Sequence, residues 1–194
     1  MQRLPDRIVT ERLVLRQWTV ADVAALTTAV EQSREHLLPW MPWAAYEPLP
    51  ATERARMIEQ WRAEHDRGLD AVYGVLLGDS PEDTGPEIIV GGCGLHRRRG
   101  PGVLEIGYWL HVDHTGRGYA TELARALTDA AFEIDRIDRV EIHHDRANVR
   151  SAGVPRRLGF TLVAESADAA TAPGEEGIDC CWSIERAEWH ERQE

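Results

Sequence analysis

The sequence predicts a single α/β domain in which helices flank a mixed, mostly antiparallel sheet of about six to seven strands. In the middle of the chain, several short segments with strand periodicity follow one another without an intervening helix. Amphipathic helical segments precede and follow this group, so the order departs from the strict β–α alternation of a doubly wound nucleotide-binding fold. No internal repeat or linker divides residues 1–194, which we therefore treat as one domain.

The composition limits the classes of function. With 194 residues, 43% of them hydrophobic and 28% charged, the chain is long enough to bury a core. Its net charge of −11 argues against a nucleic-acid partner and weakly favours an amine-bearing one. Three cysteines without disulfide or zinc spacing indicate a reducing compartment, and no segment resembles a signal peptide or a membrane span. We therefore expect a cytoplasmic protein that binds neither nucleic acid nor membrane.

The first half of the chain contains two predicted strands, residues 11–18 and 71–79, with helices between them. Thr19 is suited to cap the first helix. The apolar positions of that helix are Val20, Val23, Ala24, Leu26 and Val30. A further helix covers residues 50–68 and ends near Gly68. Residues 79–87, rich in acids, Pro and Gly, are predicted to form an exposed loop.

The second half begins with two strands, residues 88–98 and 103–112, which the segment RRGPG joins into an antiparallel hairpin. The long helix that follows has one apolar face, made of Leu123, Ala124, Leu127, Ala130, Ala131 and Ile134. A strand at residues 139–145, a short helix at 151–158, a strand from Phe160 and a closing strand at 178–187 complete the chain.

The start of the long helix, HTGRGYATELARAL, carries Gly116 and Gly118. Unpaired amide groups and the helix dipole make such a start an anion site, although two glycines can also serve only a tight turn. A Walker loop would continue with Lys and then Ser or Thr, and a dinucleotide fingerprint would have glycine where Thr121 stands. These exclusions leave other phosphate-bearing cofactors.

Several segments in order resemble one family: TERLVLRQW, LLPWMPWA, LEIGYWL, HTGRGYATE and NVRSAGVPRRLGF. The sequence is similar to the GNAT acyl-CoA-dependent N-acyltransferases, in particular to the RimJ/RimL-like ribosomal-protein N-terminal acetyltransferases. The resemblance implies the GNAT fold and acetyl-CoA as co-substrate, without a metal. It also implies acetyl transfer to a primary amine, at a protein or peptide N-terminus or on a small molecule, and leaves a homodimer open.

The resemblance also implies a binding site for coenzyme A, in which the turn from Thr115 to Ala120 wraps the pyrophosphate with its main-chain amides. The residues expected to contact the co-substrate are Trp109, Leu110, Val112, Thr115, Gly116, Arg117, Gly118, Tyr119, Ala120, Thr121, Asn148 and Ser151. Thr115 departs from the family, where Gln or Arg is common at this position. Because main-chain groups supply most of the contacts, we expect binding to survive this change. The Arg117 side chain could instead be solvated.

Two residues are candidates for catalysis. Glu105 lies within an apolar strand, where a carboxylate is either paired structurally or exposed to a cleft as a proton acceptor. The resemblance favours Glu105 as general base, acting directly or through water. It also implies that Ser151, in the segment NVRS, gives a proton to the departing thiolate, while Asn148 contacts the pantetheine arm. Helix capping is the alternative for Asn148 and Ser151.

Aromatic residues are the candidates for binding the acceptor: Trp40, Trp43 and Tyr108. Their position between prolines suits a substrate groove, but tryptophans in a loop more often anchor that loop to the core, and we slightly favour the anchor. Two pairs of histidines, His111 with His114 and His143 with His144, lack a Cys or carboxylate that would complete a ligand set, so no metal is expected. Cys93 lacks an activating histidine and is interpreted as core filler.

The implied mechanism is direct attack of the amine on the thioester, with a main-chain N–H near Trp109 and Leu110 meeting the oxyanion and no acyl-enzyme. Three alternatives stay open. The acyl group could be succinyl or another short chain. The protein could be a non-catalytic acyl-CoA sensor, or a scaffold that associates through its Trp-rich segment.

Overall fold

A computed structural model describes residues 3–78 and 87–192. The strands are β1 (Arg7–Val9), β2 (Leu13–Gln17), β3 (Ala71–Leu77), β4 (Ile89–His96), β5 (Val103–Leu110), β6 (Arg139–Asp145), β7 (Thr161–Ala167) and β8 (Ile178–Glu185). The helices are α1 (Val23–Leu37), α2 (Ala51–Asp66), α3 (Tyr119–Phe132), α4 (Val149–Leu158) and α5 (Arg186–Glu191). Among these described residues, no helix combines the length and apolar character needed to cross a membrane.

All eight strands form one sheet in the order β1-β2-β3-β4-β5-β6-β8-β7. Every neighbouring pair is antiparallel except β5 and β6, which are parallel. The prediction of a mixed, mostly antiparallel sheet is confirmed. The sheet has one strand more than expected, because the three-residue β1 is too short to show a periodic pattern.

The parallel pair separates along its length. Strands β5 and β6 are paired only from Val103–Arg139 to Ile106–Ile142. Beyond that point β5 still pairs with β4 as far as Leu110, and β6 still pairs with β8 as far as Asp145. Strand β5 therefore stays paired with β4, and β6 with β8, while β5 and β6 are no longer paired with each other. The result is a wedge-shaped gap, with α3 following β5 on one side and α4 following β6 on the other.

Apolar side chains cover both faces of the sheet. The larger core lies against α3 and α4, and the predicted apolar face of the long helix is buried throughout. A smaller cluster on the other face joins Trp18 to residues of α1 and α2, namely Leu26, Val30 and Ile58. The wedge thus opens between two packed layers, which hold its walls in place.

The local predictions have mixed outcomes. Thr19 and Asp22 form the expected capping box before α1. The predicted closing strand is wrong at its end, because Glu185 and Glu188 form a capping box there and start α5. Cys93 is buried in the core, as predicted. The predicted loop at residues 79–87 lies almost wholly outside the described residues.

Candidate active site

The two glycines at the start of α3 have left-handed backbone conformations. Gly116 has φ 73° and Gly118, the N-cap of the helix, has φ 82°. A Cβ atom built on Gly116 would meet nothing within 4 Å, so the space over the turn is open. The first amide groups of a helix have no partner within it. The turn therefore leaves room for an anion above the helix start.

Arg12, at the start of β2, supports this turn and was not singled out by the sequence. Its guanidinium donates to the main-chain oxygen of Arg117 over 3.0 Å and pairs with Glu122 over 2.6 Å. It also lies 4.8 Å from the centre of the Tyr119 ring. The same Glu122 accepts a hydrogen bond of 2.6 Å from the hydroxyl of Thr10. These contacts tie the turn to the sheet and fix its shape.

Some groups expected to contact the co-substrate have structural partners instead. The main-chain N–H of Val112 donates to the hydroxyl of Ser33 over 3.1 Å, so this amide is occupied. The Tyr119 side chain is buried in the core. The hydroxyl of Thr121 accepts a bond of 3.1 Å from Arg157. The main-chain N–H of Thr121 also donates to the oxygen of Gly118 over 3.1 Å, so neither Thr121 nor Val112 has a free amide to offer, and their contacts with the co-substrate remain predictions.

Two hydroxyl groups meet at the wedge. The oxygen atoms of Tyr108, on β5, and Ser151, on α4, lie 3.1 Å apart. Burial raises the pKa of Tyr108 to about 12. Asn148 is the N-cap of α4 and accepts a bond of 3.2 Å from the Ser151 amide, which confirms the capping interpretation for Asn148. Ser151 is not the N-cap, so its hydroxyl is free of that task.

Glu105 is enclosed by the hairpin between β4 and β5. It is 4% exposed and forms ion pairs with Arg98 and Arg99. Burial on its own would raise the pKa of this carboxyl, but the two guanidinium groups outweigh burial and lower the pKa below its ordinary value. A lower pKa makes a weaker base. The geometry therefore favours the structural ion pair, the alternative that the sequence left open.

A cavity of about 820 Å³ adjoins the wedge. Trp40, Trp43 and Trp109 contribute to its wall, and Tyr108 and Ser151 line it as well. The rings of Trp43 and Trp109 meet edge to face, with centres 6.2 Å apart. The tryptophans of the 40–46 segment therefore line a groove, rather than only anchoring their loop to the core.

The acetyltransferase (GNAT) domain model matches residues 12–161. The chain belongs to the GNAT acetyltransferase family. Members of this family are acyltransferases whose co-substrate is acetyl-CoA. This GNAT protein is therefore an acetyl-CoA-dependent N-acyltransferase.

Individual relatives agree with this assignment. YdaF of Bacillus subtilis, which carries the provisional name of a ribosomal N-acetyltransferase, is 27% identical over 93% of this chain and 95% of its own. The structure of RimL, a ribosomal L7/L12 alpha-N-protein acetyltransferase in complex with coenzyme A, is 22% identical with a TM-score of 0.79, covering 95% of this chain and 98% of the other. The microcin C7 self-immunity acetyltransferase MccE, in complex with acetyl-CoA and AMP, is 19% identical with a TM-score of 0.79, covering 91% and 93%. At these identities the two structures show a shared fold.

Of the two histidine pairs of this acetyltransferase, His143 and His144 separate in the structure, whereas His111 and His114 stay close. His143 contacts Asp179 over 2.8 Å and Glu141 over 3.0 Å, whereas His144 accepts a bond of 2.9 Å from Trp182 on the other face of the sheet. His111 contacts Gln32 over 3.0 Å, and its ring centre lies 5.5 Å from that of His114. Neighbours along a strand point to opposite faces. The groups around His143 therefore come from strand pairing and not from its neighbour in sequence.

Proposed function

We propose that this protein transfers the acetyl group of acetyl-CoA directly to an α-amine, at a protein N-terminus or on an amino-acid-like molecule in the cytoplasm. The observation that carries the proposal is that one cavity, walled by tryptophans, reaches the Tyr108–Ser151 pair in the wedge. Acceptor and thioester can therefore meet without an intermediate carrier. The names of the relatives YdaF and RimL support a ribosomal-protein N-terminus as the acceptor class.

The backbone of β5 supplies the groups for the thioester. From Gly107 to Leu110 the strand pairs with β4 only, so its side toward β6 faces the wedge. We assign the contact with the thioester carbonyl to a main-chain N–H on that side, near Trp109 or Leu110. Fixed donors of this kind stabilise the oxyanion that forms when the amine attacks.

Ser151 and Tyr108 serve the leaving group. A thiol with a reference pKa of ~8.5 leaves more easily when its sulfur receives a hydrogen bond or a proton. The Ser151 hydroxyl can donate to that sulfur, while the Tyr108 hydroxyl orients it from 3.1 Å away. Because burial raises the pKa of Tyr108 to about 12, this phenol stays protonated and can keep donating.

The acceptor amine must lose its proton before it attacks the thioester, and the cost of this step favours one kind of amine over another. An α-amine with a reference pKa of ~7.8 is about a tenth neutral at pH 7, whereas a lysine amine at ~10.4 is neutral to well under a tenth of a percent. The difference is worth ~3.5 kcal/mol, at ~1.36 kcal/mol per pKa unit. Glu105, with its lowered pKa, is a weak base, so we assign it only an indirect role, through water. A site with so little basicity suits the α-amine.

The test uses matched peptides in which either the α-amine or the single lysine is blocked. We expect kcat/KM for the peptide with a free α-amine to exceed that of the lysine-only peptide between about pH 6.5 and 9, and the gap to narrow as lysine loses its proton. Faster transfer to the lysine-only peptide over the whole range would contradict the proposal. Acetyl-CoA and succinyl-CoA are compared in the same assay, and thiol release with neither would favour a sensor.

A further inference from the structure

Three potential metal ligands meet on the face of the sheet that borders the cavity. His143 on β6 lies directly opposite Cys181 on β8, and Glu141 precedes His143 by two residues on the same face. One ligand atom from each, a carboxylate oxygen, an imidazole nitrogen and the thiol sulfur, all lie within 4.8 Å of one another. Carboxylate, imidazole and thiolate are all ligands that zinc accepts.

The neighbours of these ligands hold them as zinc sites require. Asp179 contacts Nδ1 of His143 over 2.8 Å, which orients the ring and directs Nε2 toward Glu141, 3.0 Å away. The other oxygen of Glu141 lies 2.9 Å from Arg139. A carboxylate behind a ligating histidine and a charged partner behind a ligating carboxylate are the usual outer contacts of a zinc ion.

We propose that Glu141, His143 and Cys181 form a zinc-binding site at the edge of the acceptor cavity. Carboxylate and thiolate together balance the two positive charges, and neutral imidazole completes a three-residue set. Bonds of about 2.0–2.3 Å place tetrahedral ligand atoms roughly 3.4–3.6 Å apart, so the side chains close on the ion with shifts on the order of 1 Å. Binding releases the thiol proton and any proton held on Nε2 to solvent.

One of the three ligands, His143, borders the acceptor cavity. His143 and Asp179 line the same cavity as Tyr108 and Ser151, which gives the ion a path of entry and leaves room for a water or an acceptor group. Zinc bound beside this cavity would crowd the acceptor side of the site, so we expect it to inhibit by competing with the amine and not with acetyl-CoA. This consequence rests on the proposed function, whereas zinc binding itself does not.

The experiment uses the full chain and Zn²⁺ alone, followed by calorimetry, with Co²⁺ as a spectroscopic probe. We expect one tight site and, with Co²⁺, an intense charge-transfer band from the Cys181 thiolate. Cys181→Ser removes the band and His143→Gln weakens binding, whereas the matched variants Cys180→Ser and His144→Gln, on the other face, leave both unchanged. Asp179→Asn lowers the affinity about 10–100-fold, as loss of an outer contact does.

Each result has one meaning. Absence of zinc binding by the folded wild-type protein would overturn the proposal, as would a Co²⁺ band that survives in Cys181→Ser or binding that falls equally in the variants of both faces. Circular dichroism checks that each variant is folded. Zinc binding with the expected variant pattern supports the site even if no α-amine is acetylated, an outcome that would refute the proposed function alone.

Discussion

In the proposed mechanism, the chemistry of the wedge depends on two single hydroxyl groups, those of Ser151 and Tyr108. Ser151 follows Asn148 in a pattern that helix capping explains equally well, and only the structure separates the two tasks by making Asn148 the cap. Tyr108 comes from a different strand, so its contact with Ser151 over 3.1 Å could not be predicted from sequence spacing. A residue pair that acts across two elements becomes visible only when the sheet is assembled.

The variant Ser151→Ala is expected to lower kcat by roughly a hundredfold, as loss of a proton-transfer group does, with little change in acetyl-CoA affinity. Tyr108→Phe should lower kcat less, because it removes only the group that orients Ser151. Thiol release at saturating acetyl-CoA measures both, and Ser166→Ala on the exposed strand β7 is the control. Full turnover by Ser151→Ala would return this residue to a structural role.

At the scale of elements, the start of α3 is the feature that the sequence predicted best. The amphipathic pattern, the two glycines and the helix start are all local, and local patterns are what a sequence carries directly. The support from Arg12 and Glu122 joins residues that are 110 positions apart. Likewise, the proposed zinc ligands come together only because β6 pairs with β8. The spacing of these residues along the chain does not indicate that pairing.

The variant Gly118→Val is expected to lose at least about tenfold in acetyl-CoA affinity. A β-branched residue is costly in a left-handed conformation, by roughly 1–2 kcal/mol, so the turn shifts away from the shape that binds the pyrophosphate. Regaining that shape on binding costs the same energy, and ~1.4 kcal/mol corresponds to tenfold in affinity. A Cβ at this position would also lie 3.4 Å from the guanidinium of Arg12. Calorimetry measures the affinity, and thermal unfolding checks the fold.

Gly100→Val is the matched control for Gly118→Val. Gly100 also has a positive φ, of 99°, and its Cβ would meet nothing within 4 Å, but it lies in the hairpin between β4 and β5. The Gly100→Val protein should carry backbone strain similar to that of Gly118→Val and should bind acetyl-CoA with wild-type affinity. Equal affinity of both variants would mean that the turn at Gly118 does not bind the co-substrate.

At the scale of the whole molecule, the order of elements was predictable because each strand and helix carries its own pattern. The separation of β5 from β6 was not, because it results from which neighbours each strand keeps. Glu105 illustrates the difference. Its position in an apolar strand was evident from sequence, but its pairing with Arg98 and Arg99 depends on how the hairpin folds back.

Three ionisable groups with lowered pKa values also make the stability of the molecule depend on pH. Burial lowers the pKa of His65, and the ion pairs of Glu105 and Asp22 lower the pKa of both carboxyls despite their burial. A group whose pKa is lower in the folded state contributes stability above its unfolded pKa and loses it as pH falls through the folded pKa. Stability should therefore fall with acid in two ranges, first below about pH 6.5 for histidine and then below about pH 4.3 for the carboxyls.

Urea unfolding at about pH 7.5, 5.5 and 4 measures the free energy of unfolding as a function of pH. The variant Glu105→Gln shows how much of the pH dependence comes from the Glu105 carboxylate. Because Gln cannot ionise, the variant should start less stable at neutral pH and lose less of its stability between the two lower pH values than the wild type. Glu11→Gln, at an exposed position, should follow the wild-type curve. An equally steep loss in Glu105→Gln would mean that the carboxylate held by Arg98 and Arg99 adds nothing to the stability of the fold.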